Sequence, residues 1–408
     1  MNSGLSIQNL YRLPWNLNDN SISWLEPTYK CNIICDGCYR ENREGSHKSL
    51  DDIQHELDVF EKYRKTDGVS IAGGEPLTHP EIVEIVRMVR RKGWKPVINT
   101  NGMLLSEELL AELHKAGVIG FTFHIDSGQN RPGWKGKNEI ELNELRLLLA
   151  EMLARYPNLS CSFNATIYPE NIQYVPEMIA WAQEHIDKVH VMVFILYRMV
   201  IVGSNASYYA GEKLIDFDKV GYSKEDDDRR IDVTSYELVD FIRKEIPDFS
   251  PSAYLNGTVT ADSLKWLLTG RMGNKHRIFG YTGPKFMELV QIFKHFFTGS
   301  YLAYSEIKWL HRGRIYFIFS IFDKGIRNIA KNYFKSLLVD PKAFFSRVHH
   351  QAIMIIQPGD AYKDGTVNMC DGCPDMTVWN NKLVWSCRME EQMRWGQNVR
   401  CVPEEEGD

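Results

Sequence analysis

The chain has 408 residues, 44% of them hydrophobic and 25% charged, which leaves room for two or three domains and a large buried core. A formal net charge of −5 names no partner by itself. The opening MNSGLSIQNLYRLPWN lacks a basic segment followed by an apolar one, and the longest apolar stretch, 189–202, is broken by His190 and Arg198. It falls short of the about 20 apolar residues a spanning helix needs, so the expectation is a cytoplasmic protein without a secretory leader.

After an N-terminal extension over 1–20, β-rich runs alternate with amphipathic ones. Strands are expected over 22–28, 69–72, 96–99, 120–125, 160–167 and 188–196. Helices are expected between them over 50–63, 81–92, 107–116, 139–155 and 175–185, where apolar residues recur at helical spacing. Six strands with five intervening helices predict a parallel sheet curled by right-handed crossovers into a partial or full barrel spanning 21–200. In such a barrel chemistry collects at the C-terminal ends of the strands.

The first cysteines stand at such an end. Cys31-Asn-Ile-Ile-Cys35-Asp-Gly-Cys38 follows the first strand, and three thiolates on one short loop can hold three irons of a cubane cluster. Gly73-Gly74-Glu75-Pro76 follows the second strand, Asn101 ends the third, Asp126 the fourth, and Asn164 lies on the fifth. The plainer alternative for the cysteines is zinc, which usually takes four ligands; no fourth Cys or His is near in sequence. Taken singly, Asn101, Asp126 and Asn164 read equally well as turn or capping residues.

The C-x3-C-x2-C loop with GGEP resembles the radical S-adenosylmethionine (SAM) superfamily. The resemblance implies an α/β fold: a partial (β/α)6 TIM-like barrel, here with a mostly helical insert and a small C-terminal auxiliary-cluster region. It implies a 4Fe-4S cluster on Cys31, Cys35 and Cys38 whose fourth iron chelates SAM, with Gly73, Gly74, Glu75 and Pro76 seating the SAM amino group. Asn101, Asp126 and Asn164 are its candidates for contact with the ribose and carboxylate. Gly37 stands where many members of the family carry an aromatic residue, and Tyr39 follows the third cysteine instead; Tyr39 is kept among the SAM-contact candidates. The implied reaction is reductive cleavage of SAM to a 5′-deoxyadenosyl radical that abstracts hydrogen from a substrate. A flavodoxin or ferredoxin is the implied electron donor. No catalytic residue beyond these is assigned.

Residues 201–263 read as a loop-rich connection with an acidic run over 225–228 and a short helix over 235–244. Residues 264–350 contain 15 Lys or Arg, 4 Asp or Glu and many aromatics, a local +11 against −16 for the remainder. Three readings stay open for this insert: a helical subdomain with solvated lysines, an anionic membrane surface, and nucleic acid. No RNA-binding signature is visible, and runs such as 315–322 suit acyl chains better than bases.

Residues 351–408 carry Cys370, Cys373, Cys387 and Cys401 in a C-x2-C-x13-C-x13-C array. The spacing reads as structural zinc or as iron–sulfur. It resembles the SPASM/twitch auxiliary-cluster group of the same superfamily, which implies a second 4Fe-4S cluster with Cys401 as fourth ligand or an open iron. The substrate is expected to be a small molecule, lipid or other large apolar molecule. Rival readings are a peptide-modifying maturase and a non-catalytic iron–sulfur redox sensor.

Overall fold

The computed structural model describes residues 4–198, 200–202, 206–217, 223–225, 233–362 and 366–403. Most of the expected acidic run (226–228) and the C-terminal residues 404–408 lie outside them. Eleven strands form one open sheet: β1 Tyr11–Arg12, β2 Ile22–Thr28, β3 Gly68–Gly73, β4 Lys95–Thr100, β5 Gly120–His124, β6 Ser160–Ile167, β7 Val191–Leu196, β8 Ala253–Asn256, β9 Leu264–Asn274, β10 Arg277–Tyr281 and β11 His349–Ile356. Their order is β1-β8-β9-β11-β7-β6-β5-β4-β3-β2, with β10 paired to β9.

β2 to β7 are parallel neighbours, as expected, and five helices connect them: α1 Leu50–Tyr63, α2 Ile82–Arg91, α3 Glu107–Ala116, α4 Asn143–Ala154 and α5 Val175–Glu184. Local chemistry sets their ends. Ser49 and Asp52 cap α1 reciprocally, and α3 stops at Gly117, whose φ of 99° suits only a residue without a Cβ. Leu57, Phe60, Ile85, Val89, Leu110 and Leu113 seal these helices onto the outer face of the sheet in one continuous core.

The sheet then continues through strands that the periodicity did not predict. β11 runs parallel to β7, β9 runs antiparallel to β11, and β8 and β1 complete that edge. The expected helical insert at 264–350 is therefore narrower. β9 and β10 are sheet strands, and the helical part comprises α7 Pro284–Thr298, α8 Ile307–Leu310, the 3₁₀ segment Gly313–Ile321 and α9 Lys324–Val339, ending in a 3₁₀ turn Pro341–Phe345. Two of the cations counted there are not surface charges. Lys265 is 0% and Arg271 2% exposed; Lys265 donates to Asp360 (2.5 Å), and Arg271 donates to the Gln351 side chain and the Ile179 carbonyl. Buried charges survive only when paired in this way, and composition alone cannot distinguish them from solvated ones.

Helix α6 Ser235–Glu245 matches the expected 235–244 and starts on a Thr234–Glu237 capping box. Residues 4–20 are no appendage: β1 joins the sheet edge, and Leu13 and Trp15 pack with Ile22, Leu255 and Trp266. The C-terminal region forms a hairpin (Met376–Trp379, Lys382–Trp385), helix α10 Met389–Trp395 and a strand Val399–Pro403 that pairs with Ala206–Ala210. Asn380 and Asn381 turn the hairpin at φ 47° and 62°, the left-handed values a two-residue turn requires. Among the described residues no helix is long and apolar enough to cross a membrane.

Candidate active site

The curl of the sheet encloses a cavity of about 2160 Å³, and all seven clustered cysteines line it. Alternate residues of each strand face inward. Ser70, Asn99, Thr122, Ser162 and Asn164 on β3 to β6 make one wall polar. Val191, Val193 and Ile195 on β7, Ala352, Met354 and Ile356 on β11, and Trp266 and Leu268 on β9 make the opposite wall apolar. Cys161 lies elsewhere, 1% exposed in the core between sheet and helices.

Hydrogen bonds on two sides hold the first cysteine loop. Asn42 accepts from the Cys31 N–H (2.8 Å) and donates to the Cys31 carbonyl (2.9 Å). Asn101 Nδ2 donates to Asn32 Oδ1 (2.7 Å). On the far side the loop lies along the segment after β5: Asp36 N–H donates to Gly128 O, Asn130 N–H to Ile34 O, and the Tyr168 hydroxyl to Asp36 O (2.9 Å). Gly37 has φ 69°, and a Cβ there would stand 2.4 Å from the Tyr197 ring at the end of β7. The ring occupies the space a side chain at 37 would need.

The glycines of GGEP have a structural reason. A Cβ on Gly73 would meet Thr28 O at 2.6 Å, and one on Gly74 would meet Lys30 O at 2.2 Å. Gly74 N–H donates to Thr28 O (2.9 Å) and Glu75 N–H to Lys30 O (2.7 Å), so this turn is buttoned to the chain entering Cys31. The close approach is thus to the protein's own backbone. Glu75, 1% exposed, accepts from Thr100 Oγ1 (2.6 Å) and from the N–H groups of Asn101 (2.7 Å) and Leu77 (3.0 Å). Burial pushes its carboxyl upward against these three donors. Its evident work is to join the ends of β3 and β4. Pro76 begins the 3₁₀ turn Pro76–Thr78.

Asp126 is engaged in a similar way. It accepts from His124 Nε2 (2.8 Å) and from the N–H groups of Gly128 and Thr166; although burial opposes ionisation, these donors hold its carboxyl below the usual range. Asn101, apart from its bond to Asn32, accepts from Met103 N–H (2.9 Å). Asn164 differs: its Oδ1 is buried on the polar wall without a partner, and so is Asn99 Nδ2 two strands away, across β5. Of the two asparagines in the run Asn99-Thr100-Asn101-Gly102, the sequence reading singled out Asn101 and not Asn99. Its signal was the strand period, since Asn99 and Asn164 are both inward positions.

Cys370, Cys373 and Cys387 stand close enough to influence one another's thiols: Cys370 raises Cys373, and burial together with Cys373 pushes Cys387 up to about 12. Cys401 is placed differently. It pairs with Tyr208 across the strand ladder, hydrogen-bonds the Tyr208 side chain, and packs on the small cluster of Tyr208, Phe217 and Val399 that Tyr39 also joins. Burial likewise raises Cys31, Cys35 and Cys38. Thiols held neutral in this way surrender their protons when iron binds.

A buried ion network ties the two cysteine regions together. Arg40, two residues after Cys38, contacts Glu26 on β2 (2.8 Å) and Glu390 on α10 (3.3 Å), and donates to the Ser386 carbonyl (2.9 Å) beside Cys387. Ser386 Oγ donates back to Glu26 (2.7 Å). Arg40, Glu26 and Glu390 side chains are all at most 2% exposed.

The residues fit an iron–sulfur cluster and SAM by two observations. One short loop presents three thiols into a cavity, and two orphaned amide atoms stand on the adjoining polar wall. Among the described residues no three His, Cys, Asp or Glu side chains gather at single-ion spacing. A cubane takes one thiolate per iron, so its ligands stand further apart.

A family model described as the Radical SAM superfamily matches residues 25–182. Among curated proteins, the tungsten-containing aldehyde ferredoxin oxidoreductase cofactor-modifying protein of Pyrococcus furiosus is 36% identical over 106 residues, 25% of this chain and 30% of that protein. The PqqA peptide cyclase of Gluconobacter oxydans is 32% identical over 121 residues (28% and 32%), and the AdoMet-dependent heme synthase of Methanosarcina barkeri 28% over 171 (40% and 47%). The chain thus spans less than half the length of each of these relatives. Streptococcus suis SuiB aligns in structure at a TM-score of 0.41 and 18% identity, covering 57% of this chain and 47% of SuiB. Enzymes of the matched superfamily use a 4Fe-4S cluster and SAM, and residues 25–182 of this chain are a radical SAM domain.

Proposed function

We propose that this chain cleaves SAM reductively and uses the resulting radical to abstract hydrogen from an amphiphilic or otherwise large apolar substrate. The observation that carries this reading is the two-sided cavity that both cysteine sets line: orphaned amides on the polar wall, a run of apolar side chains from β7, β11 and β9 on the other. When bound at Cys31, Cys35 and Cys38, the cluster would supply the electron that splits SAM into methionine and a 5′-deoxyadenosyl radical. The chain's own part is positioning. Asn99 and Asn164 offer a donor and an acceptor to the polar groups of SAM, backed by Asn101 and Asp126, which shape the strand ends. Gly73, Gly74, Glu75 and Pro76 hold the cysteine loop in register with those strand ends, and Tyr39 flanks the site. The apolar wall would orient the reacting C–H and keep water away from it.

In the same reading Cys370, Cys373 and Cys387 hold a second iron–sulfur cluster. Cys401, seated on Tyr208, is the less direct candidate for its fourth ligand. A low-potential carrier such as a flavodoxin or ferredoxin supplies electrons, and the site of action is cytoplasmic. The PqqA peptide cyclase among the relatives favours a second reading, modification of a peptide.

The test is anaerobic reconstitution with iron and sulfide, followed by chromatography for 5′-deoxyadenosine after addition of SAM and a strong reductant. Wild type forms 5′-deoxyadenosine and Cys35→Ala does not. A fully loaded wild-type protein that leaves SAM intact would reject the proposal.

A further inference from the structure

The radical SAM reading leaves the helical insert without a task. Residues 284–348 contain eleven Lys or Arg and four Asp or Glu. Ten of those cations are exposed, whereas Glu306 and Asp340 are the only exposed carboxylates among the four. Asp323, 1% exposed, caps α9 by accepting from Ile326 N–H (2.8 Å).

The apolar side chains divide into two sets. Phe286, Ile326, Ile329, Tyr333 and Val348 form the insert's own core with Met272 and Phe279 of the sheet. The second set points out. On α7, Phe296 and Phe297 are 78% and 76% exposed. Along Gly313–Ile321, Ile315, Ile318 and Ile321 recur every third residue, which on a 3₁₀ helix is one column, and all three are exposed. Leu338 and Val339 at the end of α9 are 85% and 87% exposed, and Phe345 is 85% exposed. These elements pack on one another: Phe286 of α7 meets Tyr316 and Phe319, and Phe317 meets Tyr333 of α9. Cations stand among the apolar tips, with Arg314 over the Phe344 ring (5.4 Å) and Arg327 donating to the Ser320 and Ile321 carbonyls.

A solvated helical subdomain explains the lysines but not this outward apolar set, which exceeds the scattered exposure of ordinary surfaces. Protruding apolar tips interleaved with Lys and Arg are the chemistry of a segment lying in a bilayer interface. Phe286 and Tyr316, on two of the elements that carry those tips, also line the cavity.

We infer that the insert is a docking element for an anionic lipid bilayer, its apolar tips entering the acyl boundary and its cations meeting lipid phosphates. A second clause rests on the proposed function: a bilayer amphiphile then reaches the apolar wall past α7. The insert of a second copy carries the same positive charge, so pairing of insert with insert would be repelled. A nucleic acid would satisfy the cations but leave Leu338 and Val339 in water.

The full chain is floated with phosphatidylcholine vesicles and with phosphatidylcholine–phosphatidylglycerol vesicles. Binding is expected to favour the anionic vesicles by about tenfold or more, and to weaken at about 1 M salt, where the Debye length is about 3 Å. Phe296→Ser with Phe297→Ser, and separately Lys331→Glu with Lys335→Glu, should each lower that binding by about tenfold while circular dichroism and melting temperature hold. Equal binding to both vesicles, no binding to either, or folded variants that bind like wild type would overturn the inference. So would displacement from vesicles by polyuridylate, or self-association abolished by the Phe changes. The assay needs neither cluster nor SAM. An inert protein that still floats therefore refutes only the proposed function, and an active one that ignores anionic vesicles refutes only the docking element.

Discussion

The chain uses the tetrapeptide Cys-Asp-Gly-Cys twice, at 35–38 and at 370–373, and folds it with the same left-handed glycine, φ 69° at Gly37 and 68° at Gly372. The surroundings differ. Gly37 faces the Tyr197 ring, a side chain able to shift, whereas a Cβ on Gly372 would stand 2.2 Å from the Trp15 carbonyl. Arg12 also clamps Asp371 (2.7 Å), and Asn20 donates to Gly372 O (2.9 Å). The first turn thus rests on strand ends within its own barrel, and the second on the N-terminal segment some 350 residues earlier. One local sequence yields one local turn, and long-range packing decides how rigidly it is held.

The largest contrast should come from the thiols. Cys35→Ala should abolish 5′-deoxyadenosine formation. Cys373→Ala should lower iron content from about eight to about four per chain while SAM cleavage persists without substrate. Iron analysis and chromatography read both, and equal loss of cleavage in the two variants would erase the distinction between the turns.

Arg40 joins the two regions, so Arg40→Ala leaves Glu26 buried without its cation and Glu390 with Arg43 alone. A loss of about 3–5 kcal/mol is expected in denaturant unfolding. A loss under about 1 kcal/mol would show that the network is not what holds α10 to β2.

A pH series separates both turns from the seam under the insert. Burial depresses His349 to about 4 and His190 to about 3, with His311 adding repulsion at each. His349 Nδ1 shares one hydrogen with His311 Nδ1 at 2.7 Å. The unfolded chain binds protons near pH 6.5 and the folded one does not, so this stability is complete above pH 6.5. It should fall by roughly 2–4 kcal/mol per histidine as pH drops toward 4. Melting temperature against pH checks this, and His349→Gln should flatten the curve.

The smallest effect tests the glycines directly. Gly372→Ala should cost about 2–3 kcal/mol, because φ and a fixed carbonyl both oppose it. Gly37→Ala should cost about 1–2 kcal/mol, because the Tyr197 ring can move. Thermal melts of the two variants rank them; the reverse order would place the firmer support at the first turn.

The six-strand core and its helices were legible because each unit is local: an apolar strand, a turn, an amphipathic helix whose period shows within a dozen residues. α1 and α3 begin and end where periodicity places them. β9 and β11 were hidden. β9 carries buried Lys265 and Arg271, which read as surface charge, and its partner β11 lies beyond the whole insert. In the site, the cysteines and GGEP were visible as spacing. Asn99, Tyr197 and Arg40 were not, since their meaning comes from neighbours distant in sequence.

The amino-acid sequence alone determined the parallel β/α core, the two Cys-Asp-Gly-Cys turns and the motif ending β3, because backbone preference and apolar period act over a few residues. Tertiary structure alone decided that both cysteine sets share one cavity, that its walls differ in polarity, and that apolar side chains of the insert face outward. Those features depend on which inward and outward positions of remote strands and helices meet, and no local preference encodes that.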